Sequence, residues 1–307
     1  MKRHFPHHQL ALLLPNTANL WCSSDGSLRD CEWTDWVGGF VVLGMDVTHH
    51  NRGAWNRHAN NGSVWSVPVS DEEVARARAG DWKVILTPNK AVPADWFGDI
   101  AGKDVLGLAS GGGQQVPLFA ASGANVTSFD NSDEQLARDK LVAEREGLNV
   151  RVVQGDMADL SVFSDASFDL IFHPVANVFV PDLNPVWQEC ARVLRPGGRL
   201  LAGYMNPAFF WFDHDACEKS GEWVVKYPLP YSDLTSLPPE RVAKLVEVNT
   251  ILEFGHSLDA QIGGQLRAGM VVTDMYEDDW SDEATPLNKY GPMYIATLAR
   301  RKPFVAQ

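Results

Sequence analysis

The sequence predicts a doubly wound α/β fold in which a mostly parallel seven-stranded sheet ends in an antiparallel C-terminal hairpin. The first observation is that short apolar segments alternate with helical segments of ~10–15 residues between residues 104 and 204, a pattern typical of parallel βαβ units. The second is that two strand-like segments near the C-terminus are joined by an acidic loop, as in an antiparallel pair at a sheet edge.

Capping patterns and apolar stripes define the predicted helices. Ser70 with Glu73, and Ser132 with Gln135, have the capping-box spacing that satisfies orphan amides at a helix start. Pro185 suits a first helical position, and apolar residues then recur at helical spacing. In chain order, helices are predicted at residues 71–79, 115–121, 132–146, 185–194 and 256–266, and strands at residues 105–108, 125–129, 150–153, 168–172, 199–204, 270–276 and 293–299.

The chain divides into three parts by its pattern. Residues 1–44 hold three tryptophans but little periodicity, which indicates a peripheral or partly disordered N-terminal extension, and Met45 is a candidate natural start. Residues 45–100 are predicted to form a helical lid, and residues 101–307 the α/β domain. Within that domain, four prolines and an aromatic block indicate a lid insertion at about residues 207–250, where core or lid packing explains the aromatic side chains better than a ligand cage.

Composition and charge narrow the class of partner. The chain has 307 residues, 45% of them hydrophobic, and a formal net charge of −13. A phosphate backbone requires a basic face, so a nucleic-acid partner is not expected. No apolar run approaches the ~18 residues of a membrane-spanning helix, so no membrane partner is expected either. These features indicate a cytoplasmic protein with a small-molecule partner, and we expect it to be a monomer or a homodimer.

Cysteine and acid–histidine patterns predict neither a disulfide framework nor a metal site. The four cysteines lack CxxC spacing, which excludes a zinc knuckle and fits a reduced compartment. The stretch Asp213-His214-Asp215 has a metal-like composition. Adjacent ligands in one stretch rarely all face inward, however, so no metal is predicted there.

The residues that carry chemistry follow the first two strands of the predicted sheet. In an open α/β sheet, ligands bind outside the carboxyl ends of the strands, at the topological switch point. Gly111-Gly112-Gly113 follows the first strand, and a ligand can approach this backbone closely because no Cβ intervenes. Asp130 ends the second strand, where a carboxylate can accept hydrogen bonds from both ribose hydroxyls. This combination predicts a cofactor that contains adenosine, without saying which one.

A dinucleotide is the weaker choice of cofactor. It requires G-x-G-x-x-G, but Val116 stands where the third glycine would permit close helix packing. No basic residue lies in the loop to assist a pyrophosphate, and no G-K-[ST] follows it, so the loop is not a P-loop either. An NAD(P)-dependent reductase stays open as an alternative function.

Four features occur in order within residues 104–204: the glycine loop, Asp130, Gly-Asp-Met at residues 155–157, and Arg-Val-Leu-Arg-Pro-Gly-Gly at residues 192–198. This ordered set resembles the class I S-adenosylmethionine-dependent methyltransferases, of the small-molecule type 11 kind. The resemblance implies a Rossmann-like fold, S-adenosylmethionine as cofactor, and methyl transfer to a small-molecule acceptor by in-line displacement. A non-catalytic protein that binds S-adenosylmethionine or S-adenosylhomocysteine, the demethylated product, is the other alternative.

The resemblance also implies a cofactor site. The glycine loop would lie against the methionine part, Asp130 would hold the ribose, and residues after the second and third strands would flank the adenine. Two positions depart from the family pattern: Gly107 stands where an acid usually assists the cofactor's amino group, and Ala109 stands where glycine is usual. The implied cofactor-binding residues are Ala109, Ser110, Gly111, Gly113, Asp130, Asn131, Asp156, Met157 and His173.

The acceptor side is less defined by the sequence. Methyl transfer depends mainly on positioning and exclusion of water, but a hydroxyl, thiol or amine acceptor can require a base, for which histidine is the usual choice. Aromatic faces can also stabilise a cationic methyl donor. A structural role is the competing interpretation for each of these side chains. The predicted catalytic residues are His173 and His256, and the predicted substrate contacts are Trp55, His58, Asn177 and Trp211.

Overall fold

The computed structural model describes residues 44–281 and 285–303. The predicted N-terminal extension lies outside these residues, apart from Gly44. The strands are β1 Asp104–Leu108, β2 Asn125–Asp130, β3 Val150–Gln154, β4 Phe168–His173, β5 Leu194–Met205, β6 Tyr231–Ser232, β7 Phe254–Gly255, β8 Met270–Asp278 and β9 Tyr294–Arg301. The α-helices are α1 Val47–Asn60, α2 Asp71–Arg78, α3 Ala94–Phe97, α4 Gln115–Ala121, α5 Asp133–Glu146, α6 Asn184–Val193, α7 His214–Ser220, α8 Asp233–Ser236, α9 Pro239–Glu247 and α10 Gly264–Arg267.

Seven of these strands form one sheet in the order β3-β2-β1-β4-β5-β9-β8. Neighbouring strands from β3 to β5 are parallel, whereas β9 pairs antiparallel with both β5 and β8. The predicted doubly wound, mostly parallel sheet with an antiparallel C-terminal pair is therefore confirmed. The chain proceeds from β1 out to β3 and then returns to β4 beside β1, so the switch point lies between β1 and β4.

Apolar side chains bury the sheet on both faces. In β1, Val105 belongs to one core, and Leu106 and Leu108 belong to the other, as the alternation of side chains along a strand requires. Helices α2 to α5 contribute to the first core and α6 to the second. With both faces covered, the edge formed by the carboxyl ends of the parallel strands remains for ligands.

Helix α1 has no clear signal in the sequence. Asp46 accepts a hydrogen bond from the N–H of His49 (2.9 Å) and so caps the helix. However, His49 stands where a capping box has Glu or Gln, and the first turn holds no acidic residue. Tertiary contacts stabilise the helix instead, because the Asn51 amide donates hydrogen bonds to the carbonyls of Phe179 and Leu252.

Two further elements differ from the predicted ones. Strand β5 begins at Leu194 instead of residue 199, because a register shift between Phe168 and Leu170 accommodates the extra residues in the sheet. The helix predicted from residue 256 begins later, as one π-helical turn, Asp259–Gly263, followed by α10. His256 therefore precedes this helix.

The segment predicted to be a lid insertion contains short elements rather than a long helix. Helices α7, α8 and α9 follow one another, and β6 pairs antiparallel with β7 in a separate two-stranded sheet. A small core of Tyr227, Leu237 and Val242 packs this region. Its function as a lid stays a prediction. In the described ranges, every helix is too short or too polar to cross a bilayer.

Candidate active site

A cavity of about 530 Å³ opens at the carboxyl ends of the parallel strands. Its floor consists of residues that follow β1, β2, β3 and β4, and the end of β5. Parts of α1 and of the segments around residues 63–65 and 85–88 form a second wall. The cavity therefore lies at the switch point, where a doubly wound sheet binds its ligand.

The glycine loop after β1 has a backbone that a side chain would disturb. Gly112 has a φ of 120°, and a Cβ added to it would lie 2.4 Å from the carbonyl oxygen of Trp65. Gly113 has a φ of 76° and packs against Pro68. The segment before α2 thus lies directly on the loop, and the two glycines permit that approach.

Asp130 holds the glycine loop from the end of β2. Its carboxylate accepts hydrogen bonds from the N–H of Gly111 (3.0 Å) and the N–H of Ser132 (2.9 Å), one on each oxygen. Burial raises the pKa of Asp130, although both backbone hydrogen bonds favour the charged form. An ionised carboxylate has about four acceptor positions, so each oxygen can accept one more hydrogen bond from a ligand in the cavity.

Asp139 on α5 holds the same loop from behind. It is fully buried and accepts hydrogen bonds from the N–H of Gly113 (2.8 Å) and the hydroxyl of Ser128 (2.6 Å). Burial raises the pKa of Asp139 to about 7. Asp139 is not among the site residues predicted from the sequence. Its signal there is an acid on the same helix stripe as Leu136, Val142 and Ala143, where a charged residue is unusual.

Hydrogen bonds attach the part of the cavity that follows β2 and β3 to helix α1. The hydroxyl of Thr48 donates to Asp156 (2.8 Å), and the Asn131 amide donates to the Thr48 carbonyl (2.7 Å). The Arg52 guanidinium donates to the Asn131 side chain (3.0 Å). Asp156, Asn131 and Met157 line the cavity beside Thr48, so α1 covers the predicted adenine site.

The two histidines predicted to be catalytic, His173 and His256, lie in the wall behind the cavity and do not line it. His173 is fully buried, with Nδ1 3.0 Å from the Leu108 carbonyl oxygen and Nε2 2.9 Å from the Asn177 side-chain oxygen. His256 Nε2 lies 3.0 Å from the Asn177 carbonyl oxygen and 2.9 Å from that of Val180. Burial lowers the pKa of both histidines. Asn177 is itself fully buried between them.

Aromatic side chains line part of the cavity. Trp55 and His58 on α1 both line it, with ring centroids 5.7 Å apart, and Trp55 also packs edge-on against Phe179. Trp211 does not line the cavity and is 42% exposed. Phe209, from the same aromatic block, lines the cavity instead.

Three cavity residues come from regions where the sequence carries no motif. Glu253 precedes β7, Trp280 follows β8, and Tyr294 begins β9. The rings of Trp280 and Tyr294 meet with centroids 6.3 Å apart. Burial, followed by the charge of Asp233, raises the pKa of Glu253 to about 7.

The cofactor half of the cavity fits the adenosine-containing group that the sequence predicts. A Cβ on Gly111 would lie 3.1 Å from the Asp130 carboxylate and 2.8 Å from the Gln135 Cβ, so the missing side chain leaves a cradle. The buried Oε1 of Gln135, on the same wall, has no hydrogen-bond partner within the described part of the chain. A ligand that donates hydrogen bonds would satisfy these acceptors.

The two departures from the family pattern have local structural consequences. A Cβ at Gly107 would lie 2.6 Å from Cγ2 of Val116, so an acid at this position would collide with the Val116 side chain of α4. Ala109 adopts a φ of 48°, the left-handed conformation that favours glycine. The loop therefore keeps the conformation that a glycine would adopt there, with alanine under strain.

We expect Ala109→Gly to raise the free energy of unfolding by about 0.5–1 kcal/mol. The left-handed conformation costs a residue with a Cβ roughly 1–2 kcal/mol, and the larger entropy of glycine in the unfolded chain offsets part of this gain. Urea denaturation measures the difference. The control Ala120→Gly, inside α4, should lose about 1 kcal/mol; an equal loss in Ala109→Gly would contradict the strain argument.

The comparisons with known proteins agree with this geometry. Residues 106–202 match the family described as "Methyltransferase domain". The chain is 51% identical over 229 residues to the uncharacterized methyltransferase YbaJ of Bacillus subtilis (strain 168), covering 75% of this chain and 89% of that protein. These matches give no support to the reductase alternative or to a non-catalytic binding protein.

Solved structures share the fold. A geranyl diphosphate methyltransferase in complex with GPP and sinefungin aligns with a TM-score of 0.54 at 15% identity, over 84% of this chain and 99% of that chain. An S-adenosylmethionine-dependent methyltransferase from Mesorhizobium loti aligns with a TM-score of 0.53 at 18% identity, over 67% of this chain and 94% of that one. The chain belongs to the class I S-adenosylmethionine-dependent methyltransferases.

Proposed function

We propose that this methyltransferase acts on a small, largely apolar acceptor that binds in the half of the cavity beyond β4 and β5. The observation that carries the proposal is the uneven lining of the cavity: its β1–β3 end is mainly polar, and the remainder is lined mainly by apolar side chains, among them Leu86, Val175, Met205 and Ile251. Its volume of about 530 Å³ lies within the ~300–1,000 Å³ typical of small-molecule sites.

The roles of the cofactor-binding residues are part of the proposal. Asp130 accepts hydrogen bonds from the ribose hydroxyls with the acceptor positions that Gly111 and Ser132 leave open. The backbone of Ala109, Ser110, Gly111 and Gly113 lies along the methionine part, and Asn131, Asp156 and Met157 surround the adenine. When bound, the cofactor supplies a sulfonium methyl group that is already an activated electrophile.

The protein contributes mainly alignment and exclusion of water. Helix α1 closes the adenine end through Thr48 and Asn131. Residues 45–100 and 207–250 act as two covers over the cavity, consistent with Trp55 and Phe209 both lining it. Trp55 and His58 contact the acceptor. Trp211, although predicted as a contact, is supported only by its place next to Phe210 and Phe212 in the aromatic block.

His173, Asn177 and His256 are assigned a positioning role. The His173 ring contacts the carbonyl of Leu108, directly before Ala109, and so supports the start of the cofactor loop. His256 contacts two carbonyls of the turn that follows β4. Since burial lowers the pKa of both rings and their nitrogens are directed into the wall, proton transfer from the acceptor is better supported for another group.

Transfer of labelled methyl groups tests the acceptor class. Purified protein is incubated with methyl-labelled S-adenosylmethionine and a cell extract. The extract is first separated into macromolecules and small metabolites, and both fractions are then combined in the assay. We expect label in the metabolite fraction, because the acidic chain and the size of the cavity favour a small acceptor. Label confined to protein or nucleic acid would overturn the proposal, and the Asp130→Ala variant provides the background rate. A cytoplasmic location and a monomeric or homodimeric state stay predictions.

A further inference from the structure

Glu253 is a carboxylate on the acceptor side of the cavity. Its main chain is held by Asp233, whose carboxylate accepts from the Glu253 N–H (2.8 Å) and whose N–H donates to the Glu253 carbonyl (3.0 Å). Leu252 and Phe254 on either side are buried. Glu253 itself is less buried than these two neighbours and lines the cavity.

The surroundings of Glu253 favour uptake of a proton. Its carboxylate has no ion-pair or hydrogen-bond partner among residues 44–281 and 285–303. Burial, and after it the like charge of Asp233, raises the pKa of Glu253 to about 7. The Asp233 oxygens are themselves occupied by the Tyr231 hydroxyl (2.7 Å) and the Glu253 N–H. Tyr294 faces Glu253 closely enough for the carboxylate to raise the pKa of its phenol, after burial. Burial raises the pKa of Asp233, and the positive charge of Arg241 partly opposes this by lowering it.

Other titratable groups in the cavity are less suited to this task. Both ring nitrogens of His173 and the Nε2 of His256 are directed to oxygens of the wall. His58 lines the cavity from an exposed position on α1. Asp130 and Asp156 lie at the cofactor end and are engaged with Gly111, Ser132, Thr48 and the N–H of Ala158.

We propose that Glu253 is the general base that removes the proton from the attacking O–H or N–H group of the acceptor. The acceptor's oxygen or nitrogen forms a bond to the methyl carbon as the carbon–sulfur bond breaks and its electron pair stays on sulfur. The proton released from that oxygen or nitrogen passes to the Glu253 carboxylate and then to solvent. The inference rests on the small-molecule acceptor proposed above, and it restricts that acceptor to molecules with a protic heteroatom.

Ligand binding tests whether Glu253 faces the reacting methyl group without requiring the acceptor. S-Adenosylhomocysteine has a neutral sulfur, whereas sinefungin carries an amine where the sulfonium methyl group would be. At pH 8 we expect Glu253→Gln to weaken sinefungin binding by at least tenfold in calorimetry and to change S-adenosylhomocysteine binding by less than twofold. The control Glu247→Gln, an exposed site at the end of α9, should change neither affinity.

The outcomes separate this inference from the proposed function. Equal loss of both ligands in Glu253→Gln would indicate a structural role, and unchanged sinefungin binding would place the carboxylate away from the methyl group; either result overturns the inference. By contrast, labelling of macromolecules in the extract assay overturns the proposed acceptor class while leaving these affinities interpretable. A far-ultraviolet spectrum and a melting curve show that the variant is folded.

The pH dependence of turnover provides the second readout. With methyl-labelled S-adenosylmethionine as donor and the metabolite fraction as acceptor, the wild-type rate should rise about tenfold per pH unit below pH 7 and level off above it, as a base with a pKa near 7 requires. Glu253→Gln should lower the rate by 10²-fold or more at pH 8 and remove its dependence on pH. Glu253→Asp should restore part of the rate and part of its pH dependence. An unchanged profile in Glu253→Gln would overturn the inference.

Discussion

Asp130→Ala should weaken the binding of S-adenosylmethionine and S-adenosylhomocysteine by about 10²–10⁴-fold. Two ribose hydrogen bonds to a charged acceptor contribute roughly 1.5–3 kcal/mol each, and about 1.4 kcal/mol corresponds to tenfold in affinity. The variant also frees the N–H groups of Gly111 and Ser132, which the Asp130 carboxylate holds at 3.0 and 2.9 Å. Isothermal titration calorimetry with S-adenosylhomocysteine measures the loss directly.

Two further variants make this result interpretable. Asp130→Asn keeps the side-chain shape and one acceptor oxygen, so its affinity should lie between those of the wild type and Asp130→Ala. Glu144→Ala removes an exposed acid on α5 that forms an ion pair with Lys140, and it should leave the affinity unchanged. An unchanged affinity in a folded Asp130→Ala variant would show that the cofactor's ribose lies elsewhere.

Asp139→Asn should make the protein more stable at pH 8, by up to about 4 kcal/mol. The pKa of Asp139 is about 7 in the folded state, compared with 3.8 for an ordinary aspartate. Between these values the unfolded chain is ionised while the folded carboxyl keeps its proton, so wild-type stability falls as pH rises, by up to about 1.4 kcal/mol per unit. Asparagine removes this loss because its side chain does not titrate. Its amide keeps the contacts, since it can accept from the Gly113 N–H and donate to the Ser128 oxygen.

Urea denaturation of both proteins between pH 4 and pH 9 measures the effect. The difference in unfolding free energy should be small near pH 4, grow up to pH 7 and then stay constant. Asp139→Ala serves as the contrasting variant, because it leaves the buried N–H of Gly113 without a partner and should destabilise the fold by about 1–3 kcal/mol. Parallel pH dependences of the wild type and Asp139→Asn would contradict the raised pKa.

The parallel core can be predicted from the sequence because its elements have local signals. Ser132 caps α5 by accepting the Gln135 N–H (3.1 Å), and Ser70 with Glu73 forms a complete capping box at α2. The start of α1 could not be predicted because it lacks such local signals. Its cap, Asp46, has no acid at the third helical position, and Gly53 lies inside the helix. Contacts with distant segments stabilise this helix.

The acceptor half of the cavity could not be predicted in the same way. Glu253, Trp280 and Tyr294 belong to three segments without a motif, and each resembles an ordinary surface or core residue in the sequence. His173 and His256 looked better placed because they flank strand and helix ends, yet both rings are directed into the wall. Side-chain direction at such positions depends on packing that no local pattern encodes.

The sequence by itself determined the sheet and the edge at which the loops after its parallel strands meet, since periodicity, caps and glycine turns act over a few neighbouring residues and the carboxyl ends of parallel strands share one edge. Only the tertiary structure decided what covers that edge and that Glu253 lines the cavity. Those contacts join residues far apart in the chain, such as Asn51 and Leu252, 201 positions apart. Their geometry arises from burial and hydrogen bonding in the folded state, where Glu253 and Asp139 acquire the environments that raise their pKa.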